Sequence, residues 1–262
     1  MIIEIERDDL VVFSFIIGVV FGSFLNVLIY RLPKRVSLLI NSTCPKCSHP
    51  ISWYENIPLL SYLFLKAKCS SCKVSISYLY FTVEFMCGLL SILLFLQFSF
   101  SVDFILFSLL FYILIVLSFI DFEYKAVPDY LLLLAFLISF FCTNYPFLES
   151  FKNASIFAGF FILLDFILSF YVQNIKSYIL NDETLKTQKA LGEGDIPIVA
   201  LIGVILGLKA GIVAIFLAGI FAIIPSIYNL ILKKDTQIPF IPFLVLGFLF
   251  EFFINISSKV FS

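Results

Sequence analysis

Long apolar runs separated by short polar segments dominate the hydrophobicity pattern of the chain. A membrane-spanning helix needs about 20 consecutive apolar residues, and the pattern predicts about eight spans. The predicted spans are residues 10–30, 78–98, 104–120, 130–148, 154–172, 196–208, 212–232 and 239–256. The sixth run would reach only about 20 Å as a helix at 1.5 Å per residue. We therefore expect this segment to be tilted, re-entrant or buried within the protein.

The composition is that of a protein whose solvent is lipid. Apolar residues make up 61% of the 262 residues and charged residues 13%, against about 45 to 50% and about 25% in soluble domains. This balance excludes a soluble globular enzyme and predicts an all-α polytopic membrane protein in a lipid bilayer. The net charge of −1 offers none of the basic surface that nucleic-acid binding requires, so we expect no nucleic-acid partner.

Lysine and arginine residues are distributed unevenly over the predicted loops. Cytosolic loops carry an excess of these residues, and one orientation places 13 of the 17 inside. The inner loops then hold Arg31, Lys34, Arg35, Lys46, Lys66, Lys68, Lys73, Lys125, Lys176, Lys186, Lys189, Lys233 and Lys234. In this orientation both termini lie outside, and the long loop 31–77 lies in the cytosol.

Residues 31–77 are polar and predict a small cytosolic domain between the first two spans. Four of the six cysteines lie in this loop as Cys44-Pro-Lys-Cys47 and Cys69-Ser-Ser-Cys72, with 21 residues between the pairs. Two such turns offer four thiolates to one tetrahedral zinc ion, and a site with four thiolates is structural because no position is left for water. The alternatives are two disulfides, which a reducing cytosol disfavours, or thiols without a metal.

The remaining cysteines and the single histidine have simpler interpretations. His49 lies two residues after Cys47, and we interpret it as a solvated loop residue because four cysteines already complete a tetrahedron. A single histidine also argues against a serine or cysteine hydrolase with a histidine base. Cys87 and Cys142 fall within predicted spans and are interpreted as packing residues.

Two aspartates lie at the predicted cytosolic ends of spans. Asp121 follows the third span, and Asp195 closes the sequence Gly192-Glu193-Gly194-Asp195 before the sixth. Two carboxyl groups held close together cannot both ionise, so such a pair can act as acid and base on a water that attacks a peptide bond. The alternative is structural: Asp195 caps the helix that follows, and Asp121 lies at the interface.

Asp165 lies near the middle of the fifth predicted span, where a charge is costly and marks a candidate functional residue. It either supports the two aspartates or bonds a neighbouring helix. Asp129 follows Pro128 and opens the fourth span, which favours a helix-capping role. A different class of function remains open, in which Asp121, Asp165 and Asp195 line the ion path of a zinc-stabilised transporter or scaffold.

Three strings of the sequence together resemble the type IV prepilin peptidase family of intramembrane aspartic proteases. They are residues 18–33 (GVVFGSFLNVLIYRLP), residues 53–62 (WYENIPLLSY) and the GxGD sequence at Gly192–Asp195. The resemblance implies that Asp121 and Asp195 are the catalytic pair, supported by Gly192 and Gly194. Two departures are Ile241, where the family usually has glycine, and Ile196-Pro197-Ile198, where Lys-Leu is common.

The resemblance implies a leader peptidase for prepilins or pseudopilins, acting at the cytosolic face of the bacterial inner membrane. Cleavage would follow a glycine and precede a residue that is typically phenylalanine. It also implies S-adenosylmethionine-dependent N-methylation of the new N-terminus, for which no local sequence indicates a pocket. The predicted parts are the first transmembrane helix (1–30), a cytosolic cysteine-rich domain (31–77) and a transmembrane aspartic peptidase domain (78–262).

Overall fold

The computed structural model describes residues 2–180, 183, 186, 191–232 and 238–261. These residues form helices, together with two isolated antiparallel bridges at Thr43–Pro50 and Lys68–Ser75. The prediction of an all-helical protein is confirmed. The chain divides into two compact units, residues 1–116 and 117–262.

The first unit contains two long helices that flank the cysteine-rich loop. They are α1 (Ile2–Arg31) and α3 (Tyr78–Phe98), and the loop between them carries the short helix α2 (Leu60–Phe64). Asn26 on α1 donates a hydrogen bond of 3.0 Å to the carbonyl oxygen of Tyr80 on α3. Helix α4 (Val102–Tyr124) begins in this unit and ends in the second.

The second unit is built from apolar helices. These are α5 (Asp129–Ser139), α6 (Phe147–Phe170), α7 (Ser177–Leu180), α8 (Asp195–Ile231), α9 (Ile241–Ile254) and α10 (Ile256–Val260). A π-helical segment, Tyr171–Lys176, joins α6 to α7. The buried side chains at the centre of the unit include Leu201, Leu244 and Phe248.

Helix α8 is broken at Gly207, whose φ of 71° and ψ of −174° are not helical. Only glycine adopts this backbone region without strain. The apolar pattern predicted two spans in this stretch, 196–208 and 212–232, and the structure puts the break at Gly207, near the end of the first.

Five helices among the described residues are long and apolar enough to cross a membrane. They are Arg7–Arg31, Tyr78–Phe98, Val102–Tyr124, Phe147–Ile179 and Asp195–Asn229, and α5 and α9 are shorter apolar helices. The count of eight spans, the orientation and the three domain boundaries stay predictions. Among the basic residues behind the orientation, Lys189, Lys233 and Lys234 lie outside the described residues.

Candidate active site and cysteine cluster

Asp121 lies near the carboxyl end of α4 and accepts a hydrogen bond from the start of α9. Its Oδ2 atom is 3.2 Å from the backbone nitrogen of Ile241, the first residue of α9. The first amides of a helix have no partner within the helix, and this end carries partial positive charge. The helix start therefore stabilises the ionised carboxylate of Asp121 and fixes the position of one of its oxygens.

Asp195 is the first residue of α8 and is 4% exposed. Its Oδ2 atom accepts a hydrogen bond of 3.1 Å from the backbone N–H of Gly192, and its own backbone N–H donates to the Gly192 carbonyl oxygen at 3.1 Å. A helix-capping side chain accepts from amides two or three residues later in the chain. The described side-chain bond of Asp195 instead goes to an earlier residue, which distinguishes this geometry from an ordinary N-cap.

Gly194 lies where the segments that carry both aspartates meet. A Cβ atom at Gly194 would be 2.6 Å from Cγ2 of Val127 and 3.2 Å from Cδ1 of Ile241. The same Ile241 donates its amide to Asp121. Ile241 therefore links Asp121 to the residue that directly precedes Asp195. The structure brings the two predicted residues together and leaves no room for a side chain at Gly194.

A largely apolar cavity of about 280 Å³ is lined by residues on both sides of Asp195 in the sequence. Four of its lining residues come from α5 and four from Glu193 and the first turns of α8. They are Asp129, Leu132, Leu133, Phe136, Glu193, Ile196, Pro197 and Ala200. The two carboxylates of this set belong to Asp129 and Glu193, and both residues are exposed. The cavity therefore suits an apolar group that has a positive charge nearby.

Asp165 contacts the segment that leads into the GxGD sequence. Its Oδ1 atom accepts hydrogen bonds from the backbone N–H of Leu191 at 3.1 Å and from Oγ of Ser169 at 3.2 Å. Leu191 is four residues before Asp195 in the sequence. An ion path would require the carboxylates of Asp121, Asp165 and Asp195 to follow one another across the membrane. Asp165 instead accepts a hydrogen bond from the segment that leads into α8.

The four cysteines of residues 31–77 form one cluster, in which all Sγ atoms lie within 4.8 Å of one another. The Sγ atoms of Cys44 and Cys72 are 3.8 Å apart, far longer than a disulfide bond of about 2.0 Å. Zinc–sulfur bonds of about 2.3 Å in a tetrahedron give sulfur–sulfur distances near 3.8 Å. The cluster thus fits one metal ion bound by four thiolates better than it fits two disulfides.

The two cysteine turns have the same backbone geometry. In the first, the Cys44 amide donates to the His49 carbonyl oxygen, and in the second, the Cys69 amide donates to that of Val74, both at 2.9 Å. Each turn also contains a residue with positive φ, Ser48 at 58° and Lys73 at 59°. Backbone amides of Cys47 and Lys46 lower the pKa of Cys44 to about 6, so the turn favours the thiolate that binds metal.

Two buried charged side chains tie the cysteine-rich loop to the helices of the first unit. Arg31, at the end of α1, donates from Nη1 to the carbonyl oxygens of Ser37, Leu38 and Ile40 at 3.1, 3.0 and 2.7 Å. Glu84, on α3, accepts from the backbone N–H of Leu59 at 2.7 Å. From the sequence, Arg31 was assigned only to the positive charge of the cytosolic loop, because its carbonyl partners carry no side-chain signal.

The contacts of Ile241 and Leu191 were not predictable from the sequence either. Both act through their backbone amides, which any residue except proline provides. Ile241 lies in the string IPFIPF at residues 238–243, where it was noted only as a departure from the glycine that the family usually has at this position. Leu191 lies directly before the GxGD sequence and has no local signal of its own.

Comparisons with known proteins match nearly the whole chain. The family model "Bacterial Peptidase A24 N-terminal domain" matches residues 16–98, and the model "Type IV leader peptidase family" matches residues 108–227. A prepilin leader peptidase/N-methyltransferase of Vibrio cholerae is 31% identical over 259 residues, which are 95% of this chain and 98% of that protein.

Proteins of the same name in two other bacteria show similar likeness. The one from Aeromonas salmonicida is 30% identical over 264 residues, covering 89% of this chain and 87% of the relative. The one from Pseudomonas aeruginosa is 29% identical over 261 residues, with the same coverage of each. No solved structure matches the chain.

Proposed function

This chain belongs to the type IV leader peptidase family, and we propose that it removes the leader peptide from prepilins or pseudopilins. Asp121 and Asp195 are the catalytic pair in this proposal. The observation that carries it is the pair of backbone amides, from Ile241 and Gly192, that hold one oxygen of each carboxyl group. Gly192 and Gly194 support the pair, the first as a donor and the second by leaving room for Ile241.

The chemistry follows from two carboxyl groups that share one proton, because like charges at close range cannot both be formed. The ionised carboxylate takes a proton from a water molecule whose oxygen attacks the scissile carbonyl carbon. The neutral carboxyl group gives its proton to the carbonyl oxygen. As the tetrahedral intermediate collapses, the carboxyl group that took the proton from water gives it to the leaving nitrogen, and the other carboxylate takes a proton from a hydroxyl of the intermediate. The carbon–nitrogen bond breaks, and the pair returns to its starting protonation state.

The cavity lined by α5 and the first turns of α8 supplies a binding site for the substrate in this proposal. Its apolar walls, which include Leu132, Phe136 and Ile196, suit the phenylalanine that typically follows the cleaved bond in this family. The carboxylates of Asp129 and Glu193 at the same cavity suit the basic residues of a leader peptide. Burial of one aromatic side chain in such a site contributes about 2 kcal/mol.

The cysteine cluster is proposed to bind one structural Zn²⁺ through Cys44, Cys47, Cys69 and Cys72. The sulfur spacing and the buried positions of Cys44 and Cys69 support this. When bound, the ion supplies a cross-link in a loop that has little apolar core of its own. We place this loop and the active site at the cytosolic face of the bacterial inner membrane, as the distribution of lysine and arginine predicts.

N-methylation of the new N-terminus is proposed from the names of the relatives. The methyl donor of such a reaction is S-adenosylmethionine. The second cavity, on the cysteine-rich loop, measures about 260 Å³ and is lined by mostly apolar residues together with Glu55 and Ser61. This volume lies below the 300 to 1,000 Å³ of typical ligand pockets, so the cavity does not by itself fit the donor. We assign no residue to it and derive no methyl-transfer step.

Cleavage of a purified prepilin in detergent, followed by mass spectrometry, tests the proposed function. The wild-type protein should release the leader peptide, whereas Asp121→Asn and Asp195→Asn should each lower the rate by at least about 1,000-fold, since an amide cannot transfer the proton. Asp103→Asn, at the exposed opposite end of α4, is the matched control and should cleave normally. Normal cleavage by Asp195→Asn would exclude the mechanism.

A further inference from the structure

Asp165 is a carboxylate that the proposed mechanism does not use, although it lies within the apolar helix α6. An ionisable side chain in a membrane-spanning helix is costly and persists where it has a specific partner. Here the partners are the Leu191 amide and the Ser169 hydroxyl, at 3.1 and 3.2 Å. Leu191 lies 26 residues further along the chain, so this bond holds a distant segment against α6.

The two amides at the start of the GxGD segment donate to different carboxylates. The N–H of Leu191 donates to Asp165, and the next N–H along the chain, that of Gly192, donates to Asp195. The Gly192 carbonyl oxygen in turn accepts from the Asp195 amide. Because the two amides are consecutive, fixing Leu191 restricts the orientation of the Gly192 amide and, through it, the carboxyl group of Asp195.

The position of Asp165 along its helix explains why this role was not evident from the sequence. The helical path continues beyond Asp165 through the π-helical segment to Leu180, roughly 20 Å further at 1.5 Å per residue. The chain returns to Asp165 at Leu191. Asp165 therefore lies level with the start of α8, although it falls in the middle of an apolar run.

We propose that Asp165 is a positioning residue for the catalytic pair: it accepts the Leu191 amide and thereby orients Asp195 for catalysis. The proposal rests on the proposed peptidase function. It requires an acceptor at this position and does not require a charge. A misplacement of about 1 Å in a catalytic group lowers the rate by roughly 100-fold, so the effect falls on kcat and leaves substrate binding intact.

Three variants of α6 test this with a prepilin substrate. Asp165→Ala removes the acceptor and should lower kcat by about 10- to 100-fold, with KM changed by less than about twofold. Asp165→Asn keeps the Oδ1 acceptor and should retain kcat within about threefold. Ser155→Ala removes a hydroxyl whose hydrogen bond among the described residues stays within its own helix turn, to the Phe151 carbonyl oxygen, and serves as the control with normal kinetics.

Amide hydrogen exchange of residues 191–195 provides a readout that needs no substrate. Asp165→Ala should increase exchange in this segment, whereas Asp165→Asn should leave it protected. Should Asp165→Ala fail to insert, Leu191→Pro removes the same hydrogen bond from the donor side and should reproduce the loss in kcat. A wild-type protein that fails to cleave would contradict the proposed function. Hydrogen exchange in Asp165→Ala would still show whether Asp165 holds residues 191–195 in place.

Two results would overturn the proposal. One is an inserted Asp165→Ala protein with normal kcat and normal exchange in residues 191–195. The other is an Asp165→Asn protein as inactive as Asp165→Ala, which would show that the charge is required and would assign Asp165 to proton or ion transfer instead.

Discussion

The backbone N–H of Ile241 donates to Asp121 across 120 residues of sequence, with 3.2 Å between the nitrogen and Oδ2. The side chain of the same isoleucine faces Gly194, whose absent Cβ would lie 3.2 Å from Cδ1. Ile241 therefore contacts both halves of the candidate active site, one through its amide and the other through its side chain. This position is one of the two at which the sequence departs from the usual family pattern, and the contact to Asp121 needs only the amide.

We expect Gly194→Ala to slow cleavage strongly although the added group is a single methyl. Its Cβ would lie 2.6 Å from Cγ2 of Val127, closer than real Cβ contacts come, so the segment that carries Asp195 has to move. The expected result is a fall in cleavage rate of about 100-fold or more in a protein that still inserts. Initial rates on a purified prepilin measure it.

Val127→Ala provides the matched partner for this substitution, since it removes the Cγ2 atom that the new methyl group would meet. Alone, it should cost little activity. The double variant should cleave at least about tenfold faster than Gly194→Ala alone, because substitutions of residues in direct contact have non-additive effects. If the losses in cleavage rate of the two single variants simply add in the double variant, the contact between positions 194 and 127 does not determine the cleavage rate.

The sequence predicted the helices better than the contacts between them. Backbone groups in lipid must be satisfied within a helix, so an apolar run such as 78–98 fixes helix α3 directly. Hydropathy placed the boundary between two predicted spans at residues 209–211, a few residues after the actual break at Gly207, because the apolar run continues through Gly207. The local GxGD string predicted Asp195 as a candidate residue, but the amides of Ile241 and Leu191 are visible only in the fold, since their partners lie 120 and 26 residues away.

The carboxylates beside the active site should contribute to binding of a basic leader peptide. We expect the double variant Asp129→Asn, Glu193→Gln to raise KM for a prepilin by about 3- to 10-fold at low salt, which corresponds to two partly exposed charge pairs. kcat should change little, because neither residue holds a catalytic oxygen. The measurement is KM of the wild type and of the double variant at several salt concentrations. Salt screens the charges, so the difference in KM between the two proteins should disappear at high salt. A variant with unchanged KM at low salt would contradict a role for these charges.

The purified wild-type protein should contain one zinc ion per chain. Cys47→Ser should lower the bound metal to less than about a fifth and expose residues 31–77 to proteolysis, because loss of one thiolate opens the tetrahedral site. Cys142→Ala, outside the cysteine cluster, should keep its zinc and serves as the control. Metal analysis with limited proteolysis checks both. Wild-type protein free of metal, with four reactive thiols in residues 31–77, would refute the zinc site.

Two glycine-to-alanine substitutions in α8 should change stability in opposite directions. Gly207 has a φ of 71° and ψ of −174°, and an added Cβ would lie 2.7 Å from Oη of Tyr145. We expect Gly207→Ala to destabilise the protein by about 2 kcal/mol or more, through backbone strain and this clash. Gly219 is helical with nothing within 4 Å of its Cβ position, so Gly219→Ala should stabilise by up to about 1 kcal/mol. Unfolding in detergent measures both, and stabilisation by Gly207→Ala as well would show that α8 continues through Gly207 without a break.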